Sequence, residues 1–142
     1  MKVNIKRGII SIVLITILFT LIDALFHNFI KTLEIYYYPI PSFLIFISPS
    51  PLFWYAAGKF AATIIIGIII FYAISKTRLN KLNLPIKTLI FSAVIVAILE
   101  IRYIISGYYS TNFHIYNAVM HFCILFISSY AIFSIMKTFN KK

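Results

Sequence analysis

Residues 8–28 read GIISIVLITILFTLIDALFHN, and no charge interrupts them before Asp23. A helix needs about 20 such residues, at about 1.5 Å each, to cross the hydrocarbon of a bilayer. Hydrocarbon offers the backbone no hydrogen-bond partner, so a proline-free apolar run of this length is expected to close its own bonds as one α-helix. Lys2, Lys6 and Arg7 precede it. A basic start followed by an apolar run also opens a secretory signal. Here no small-x-small cleavage motif follows and the run continues through Asp23 to Ile30, so a retained helix is expected.

Three further runs have the same character: Leu52–Ser75, Ile86–Ser106 and His114–Met136, all without internal proline. The expected fold is all-α, a polytopic four-helix transmembrane bundle that takes in residues 1–142 as one domain. Composition agrees. The chain is 62% hydrophobic and 11% charged, where soluble domains carry about 25% charged residues, and its mean hydropathy is +0.99. The single cysteine, Cys123, lies inside an apolar run and excludes an internal disulfide or a CxxC motif.

The charge balance is +10, from 13 Lys+Arg and 3 Asp+Glu. In a soluble chain this would suggest nucleic acid. Here the cations gather in the gaps between apolar runs, which is the pattern of the positive-inside rule, and no nucleic-acid partner is expected. Lys2, Lys6 and Arg7 precede the first helix, Lys76, Arg78, Lys81 and Lys87 fall between the second and third, and Lys137, Lys141 and Lys142 follow the fourth. The other two connections hold Lys31, balanced by Glu34, and no charge at all in 107–113. The expected orientation is therefore N-in and C-in, in the cell membrane, with both termini cytoplasmic. Tyr36, Tyr37, Tyr38, Trp54, Tyr55, Tyr108, Tyr109 and Tyr116 flank the outer connections as an aromatic belt would. Between helices one and two runs an apolar outer loop from Pro39 to Pro51, punctuated by Pro39, Pro41, Pro49 and Pro51 and too short to span.

A charged side chain near the bilayer centre costs about 2.5–3.5 kcal/mol on insertion scales. The sequence nevertheless puts Asp23 and His27 in helix one, Lys59 in helix two, Glu100 and Arg102 in helix three, and His114, Asn117 and His121 in helix four. Counted from the outer helix ends, Asp23, Lys59, Glu100 and His121 all fall about 8–11 Å deep. Helical spacing gives Asp23 and His27 one face, His114, Asn117 and His121 another, and Glu100 shares a face with Tyr103. Arg102, two residues from Glu100, faces away and is expected to snorkel to the outer headgroups or meet another helix.

This convergence predicts an outward-facing polar pocket, with two candidate chemistries. In a metal-free version, Glu100, His121, Lys59 and Asp23 act as acid–base partners on a lipid-like substrate. In a metal-dependent version, Asp23, His27, Glu100 and His121 supply two imidazoles and two carboxylates to a divalent ion; Asn117, Tyr103, His114 and Arg102 would line the same pocket. Haem, ligated by His27 with His114 or His121, is the less favoured cofactor. Transport is disfavoured because ionisable residues thin out towards the inner half. The alternative to a reaction site is an accessory subunit of a membrane complex, with the polar residues acting as helix–helix contacts. The bilayer itself is the remaining expected partner.

Overall fold

The computed structural model describes the backbone of residues 3–32, 51–106 and 111–139, and within these the side chains other than those of 24, 26–32, 51–56, 102–106 and 111–114. Four long helices follow one another: α1 (Ile5–Thr32), α2 (Pro51–Lys76), α3 (Leu84–Ser106) and α4 (Thr111–Ile135), with a 3-10 turn at Arg78–Lys81 between α2 and α3. All four are long and apolar enough to cross a membrane, and the chain is a multi-pass helical membrane protein. The loop Pro39–Pro51, up to the first residue of α2, lies outside the described residues, as do the belt residues Tyr36 to Tyr38, Tyr108 and Tyr109 and the side chains of Trp54 and Tyr55.

The helices run past the apolar windows that announce them. α1 starts at Ile5 rather than Gly8 and continues to Thr32. Its start is fixed by a cap: the Asn4 side-chain oxygen accepts the Arg7 backbone N–H at 3.1 Å. Asn83 does the same for Ile86 at the start of α3, at 3.2 Å. Each cap satisfies an otherwise orphaned N–H of the first turn. Pro85 is tolerated there because the first turn has no intrahelical use for its missing N–H.

The helices form a ring, with α1 and α3 each packed against α2 and α4. Neighbours are antiparallel. Gly8, early in α1, lies against Phe71, late in α2, and Asp23, late in α1, meets Lys59, early in α2. The two termini share one end, where the Asn4 N–H donates to the Thr138 carbonyl at 3.4 Å and the Ser11 and Thr138 hydroxyls are 3.0 Å apart.

Packing is inside-out relative to a soluble bundle. Leu25, Ile69, Ile127 and Ile135 are among many large apolar side chains exposed on the outside. Ser11, Thr16, Thr63, Thr88, Ser92, Ser128 and Ser129 are buried between the helices. Several of these hydroxyls donate to a backbone carbonyl one turn back, as Thr16 does to Ile12 at 2.9 Å and Thr63 to Lys59 at 2.8 Å. A polar group facing lipid would go unsatisfied, so polar residues turn inward. The apolar core runs along the same seam, through Ile12, Ile15, Phe19, Phe91, Ile95 and Leu125.

At the termini end, α4 closes in a Schellman-type turn. The Thr138 N–H reaches the Phe133 carbonyl at 3.3 Å, and the Lys137 N–H reaches the Ser134 carbonyl at 3.2 Å. Lys137 takes the left-handed position, with φ 47°. The turn sends Phe139 back onto Phe133 and Phe71, with ring centroids 5.3 and 5.4 Å apart.

Two glycines set the α1–α2 spacing. A Cβ on Gly8 would overlap the Phe71 ring, and one on Gly67 would stand 3.0 Å from Ile12 Cγ2. Among the described residues, Gly58 has nothing within 4 Å of that position. Gly8→Ala is therefore expected to destabilise the bundle by about 1–3 kcal/mol through overpacking. Gly58→Ala is expected to stabilise it by about 0.5–1 kcal/mol through helix propensity. Thermal unfolding midpoints in detergent should move in opposite directions for the two variants.

Candidate functional site: a buried ionisable network across four helices

Each helix carries a buried stripe at three- and four-residue spacing. On α1 it reads Ile12, Thr16, Phe19, Asp23, and on α2 Lys59, Thr63, Gly67, Ile70 and Ile74. On α3 it ends Ser92, Val96, Glu100, and on α4 it begins Asn117, His121, Leu125. The ionisable residues are thus the far ends of the stripes that build the core, and ordinary helix packing brings them to the bundle axis.

Asp23, Lys59, Glu100 and His121 meet there. The Lys59 ammonium donates to Asp23 Oδ2 at 2.6 Å and lies 2.8 Å from His121 Nε2. His121 Nε2 is also 2.9 Å from Asp23 Oδ1, and its Nδ1 is 2.9 Å from Glu100 Oε1. The Asn117 amide donates to the same Glu100 oxygen at 3.1 Å. His121 is completely buried and Lys59 only 5% exposed; Asp23, Glu100 and Asn117 are buried too. Phe19, one turn before Asp23, closes the network towards the termini end. Its ring lies edge-on to His121 with centroids 5.5 Å apart, and the Lys59 Nζ stands 5.0 Å from its centroid.

The described helix ends place the four residues about 9–15 Å in from the far end of the bundle, deeper than the apolar windows suggest, because α1, α2 and α4 extend beyond those windows. The side chains of His27, Tyr103, Arg102 and His114 lie outside the described residues. Among the described residues no group of three or more His, Cys, Asp or Glu side chains is disposed to hold a metal ion. The geometry explains this for Asp23 and His121: the Lys59 ammonium already sits between them, where a bound cation would have to go.

Two residues that sequence reasoning passed over complete the surroundings. Thr63 anchors its hydroxyl on the Lys59 carbonyl, and Phe19 provides the apolar floor. Both could have been found from their four-residue spacing to Lys59 and Asp23. Lys87 lies in the first turn of α3, within the run that begins at Ile86, and is 2% exposed, which its place among the basic residues of that connection did not suggest.

The proton inventory of the network gives it chemical capacity. Nδ1–H can donate to Glu100. At Nε2, a proton would be donated to Asp23, whereas a bare nitrogen would accept from Lys59. With both carboxylates ionised and Lys59 charged, a doubly protonated His121 brings the four groups to zero net charge, and a neutral His121 leaves them at −1. One proton held by either carboxylate, Asp23 or Glu100, restores neutrality, and both lie within hydrogen-bond reach of His121.

The chain matches no protein-family model, no curated protein and no solved structure.

Removing one member strands its partner's charge in a dry interior, which costs about 3–5 kcal/mol. Lys59→Met is expected to lose that much stability. Adding Asp23→Asn to Lys59→Met should recover part of the loss, because no ion is then left unpaired at that contact. Unfolding of the two single variants and the double variant in detergent measures the coupling; strictly additive effects would dissolve the contact as an energetic unit.

Proposed function

We propose that this multi-pass membrane protein uses the Asp23–Lys59–His121–Glu100 network as an acid–base site, in the outer half of the bilayer, acting on a lipid-like substrate. The observation that carries the reading is His121, with one ring nitrogen on Glu100 and the other on Asp23 and Lys59. In this reading Glu100 and Asn117 orient the imidazole, His121 exchanges the proton with the substrate, Asp23 is the alternate base, and Lys59 holds the developing negative charge. A lipid-like substrate is favoured by the setting. The network lies within a bundle whose outer surface is apolar, and the positive-inside rule directs its end of the bundle away from the cytoplasm.

Stability alone is a poor reason for such a network. Well-packed apolar residues commonly replace buried ion pairs with no loss of stability. Helices in lipid can pack on small residues, as α1 and α2 do at Gly8 and Gly67. Ionisable groups within a membrane point to function by default.

The near-complete burial of all five side chains favours a second reading: a non-catalytic accessory subunit whose network locks the helices together. Stoichiometric co-purification of other membrane subunits in mild detergent supports this second reading.

The two readings separate in one experiment. Purified protein is incubated with membrane lipid extract in D2O and, in parallel, in oxygen-18 water, and the lipids are read by mass spectrometry. The acid–base reading expects isotope incorporated into a lipid by the wild type, and none by His121→Gln or Glu100→Gln at unchanged folded yield. A wild-type protein that leaves every lipid mass unshifted would sink it.

Orientation is checked separately with Tyr109→Cys in a Cys123→Ala background, since Cys123 is exposed. Labelling by a membrane-impermeant maleimide is expected only from outside the cell.

A further inference from the structure

The termini end of the bundle holds a second polar assembly. A cavity of about 360 Å3 lies between the 3-10 turn, the start of α3 and the end of α4. Three lysines line it: Lys81 from the turn, Lys87 from α3 and Lys137 from the turn after α4. Lys81 and Lys137 are exposed, whereas Lys87 is 2% exposed. The Lys87 Nζ is 3.4 Å from Asn80 Oδ1 and 4.5 Å from the Phe139 ring centroid. An amide oxygen at that distance and a ring face are modest partners for a buried ammonium, which ordinarily requires an opposite charge.

The chain has few acidic side chains, and among the described residues none supplies that charge. There are three, Asp23, Glu34 and Glu100. Asp23 and Glu100 are engaged at the other end of the helices. Glu34 lies outside the described residues. Three cations, one of them buried, therefore converge on a cavity that no carboxylate side chain among the described residues neutralises. The N-terminus of α3 adds the positive end of its dipole to the same wall, through Asn83 and Leu84.

We infer that this cavity binds a phosphate-bearing anion, either the headgroup of an anionic phospholipid in the adjoining leaflet or free phosphate. The volume is near the lower end for small-molecule sites, about 300–1,000 Å3, and suits a headgroup rather than a whole lipid. Lys87 is the buried contact, Lys81 and Lys137 close over the anion from the rim, and the Ser134 hydroxyl is a further donor on the lining. The site is independent of the acid–base reading, because it shares no residue with that network.

The test uses the full chain in mild detergent, titrated with short-chain phosphatidylglycerol, short-chain diacylglycerol and inorganic phosphate, with binding counted by native mass spectrometry. Phosphatidylglycerol is expected to bind the wild type and diacylglycerol not. Lys87→Gln should weaken phosphatidylglycerol about tenfold or more, as loss of a charge-assisted contact does. The double variant Lys81→Gln with Lys137→Gly should weaken it about fivefold per lysine. Glycine suits the left-handed φ of 47° at position 137, so this variant remains folded and decides the matter alone if Lys87→Gln does not fold. Inorganic phosphate that displaces the lipid identifies the oxyanion itself as the ligand, and lipid binding without phosphate binding identifies the headgroup. Wild-type protein that binds phosphatidylglycerol no better than diacylglycerol and takes no phosphate overturns the inference. So does a folded double variant that retains wild-type binding.

Discussion

Hydrocarbon cannot solvate a charge, so Asp23, Lys59, Glu100 and His121 can coexist within the bundle only by solvating one another. That constraint fixes more than the network. The 2.6 Å contact between Lys59 and Asp23 ties α2 to α1, and the His121 contacts tie α4 to α1, α2 and α3. A rotation of any helix that took one member to the lipid face would expose an ion to oil and leave its partner unmatched. The apolar residues could pack in several rotational settings, because they cover the outside of the helices as well as the seam. The ionisable residues admit far fewer. Helix orientation about each axis is therefore specified by the polar minority, and the apolar majority supplies the adhesion.

The sequence carried part of this openly. Four membrane-length helices were legible because hydropathy over some 20 residues is a length measurement, and length is what a bilayer selects. The common level of Asp23, Lys59, Glu100 and His121 was legible for a similar reason: rise per residue is constant, so position along a helix converts directly to depth. The helix ends were less legible. Apolar windows report the hydrocarbon, whereas helices stop where caps stop them, as Asn4 and Asn83 show. The burial of Lys87 was not legible either, since a lysine at the start of an apolar run looks, in one dimension, like any other cation of a basic connection. The glycine contacts were hidden because Gly8 and Gly67 belong to different helices and form no spaced pair within either. The turn after α4 was hidden because Lys137 takes a left-handed position that usually announces itself as glycine.

The two ends of the bundle handle charge in opposite ways. At one end acids and bases occur together, and the chain neutralises itself. At the other end the described cations Lys6, Arg7, Lys76, Arg78, Lys81, Lys87 and Lys137 have no acidic side chain within reach among the described residues. The positive-inside rule accounts for exposed cations at a membrane surface, where water and headgroups solvate them. It gives no reason for one of them to be 2% exposed. Burial of Lys87 follows instead from the Schellman turn, which folds Phe139 back over the first turn of α3 and places its ring against the ammonium. The aromatic cluster of Phe71, Phe133 and Phe139 closes the core at this end, as Phe19 closes the ionisable network from below.

The core between these two ends separates them chemically. From Phe19 to Phe133 the axis is filled by Ile15, Ile95, Leu125 and Phe91, and buried hydroxyls such as Thr16 and Thr63 are turned onto carbonyls of their own helices. A hydroxyl that donates to a local carbonyl has spent its one proton on the backbone. It can still accept, but passing a proton onward would require breaking that bond. Thr16 and Thr63 are in this sense spent on their own backbones, while the described groups nearest the His121 ring nitrogens are Lys59, Asp23 and Glu100.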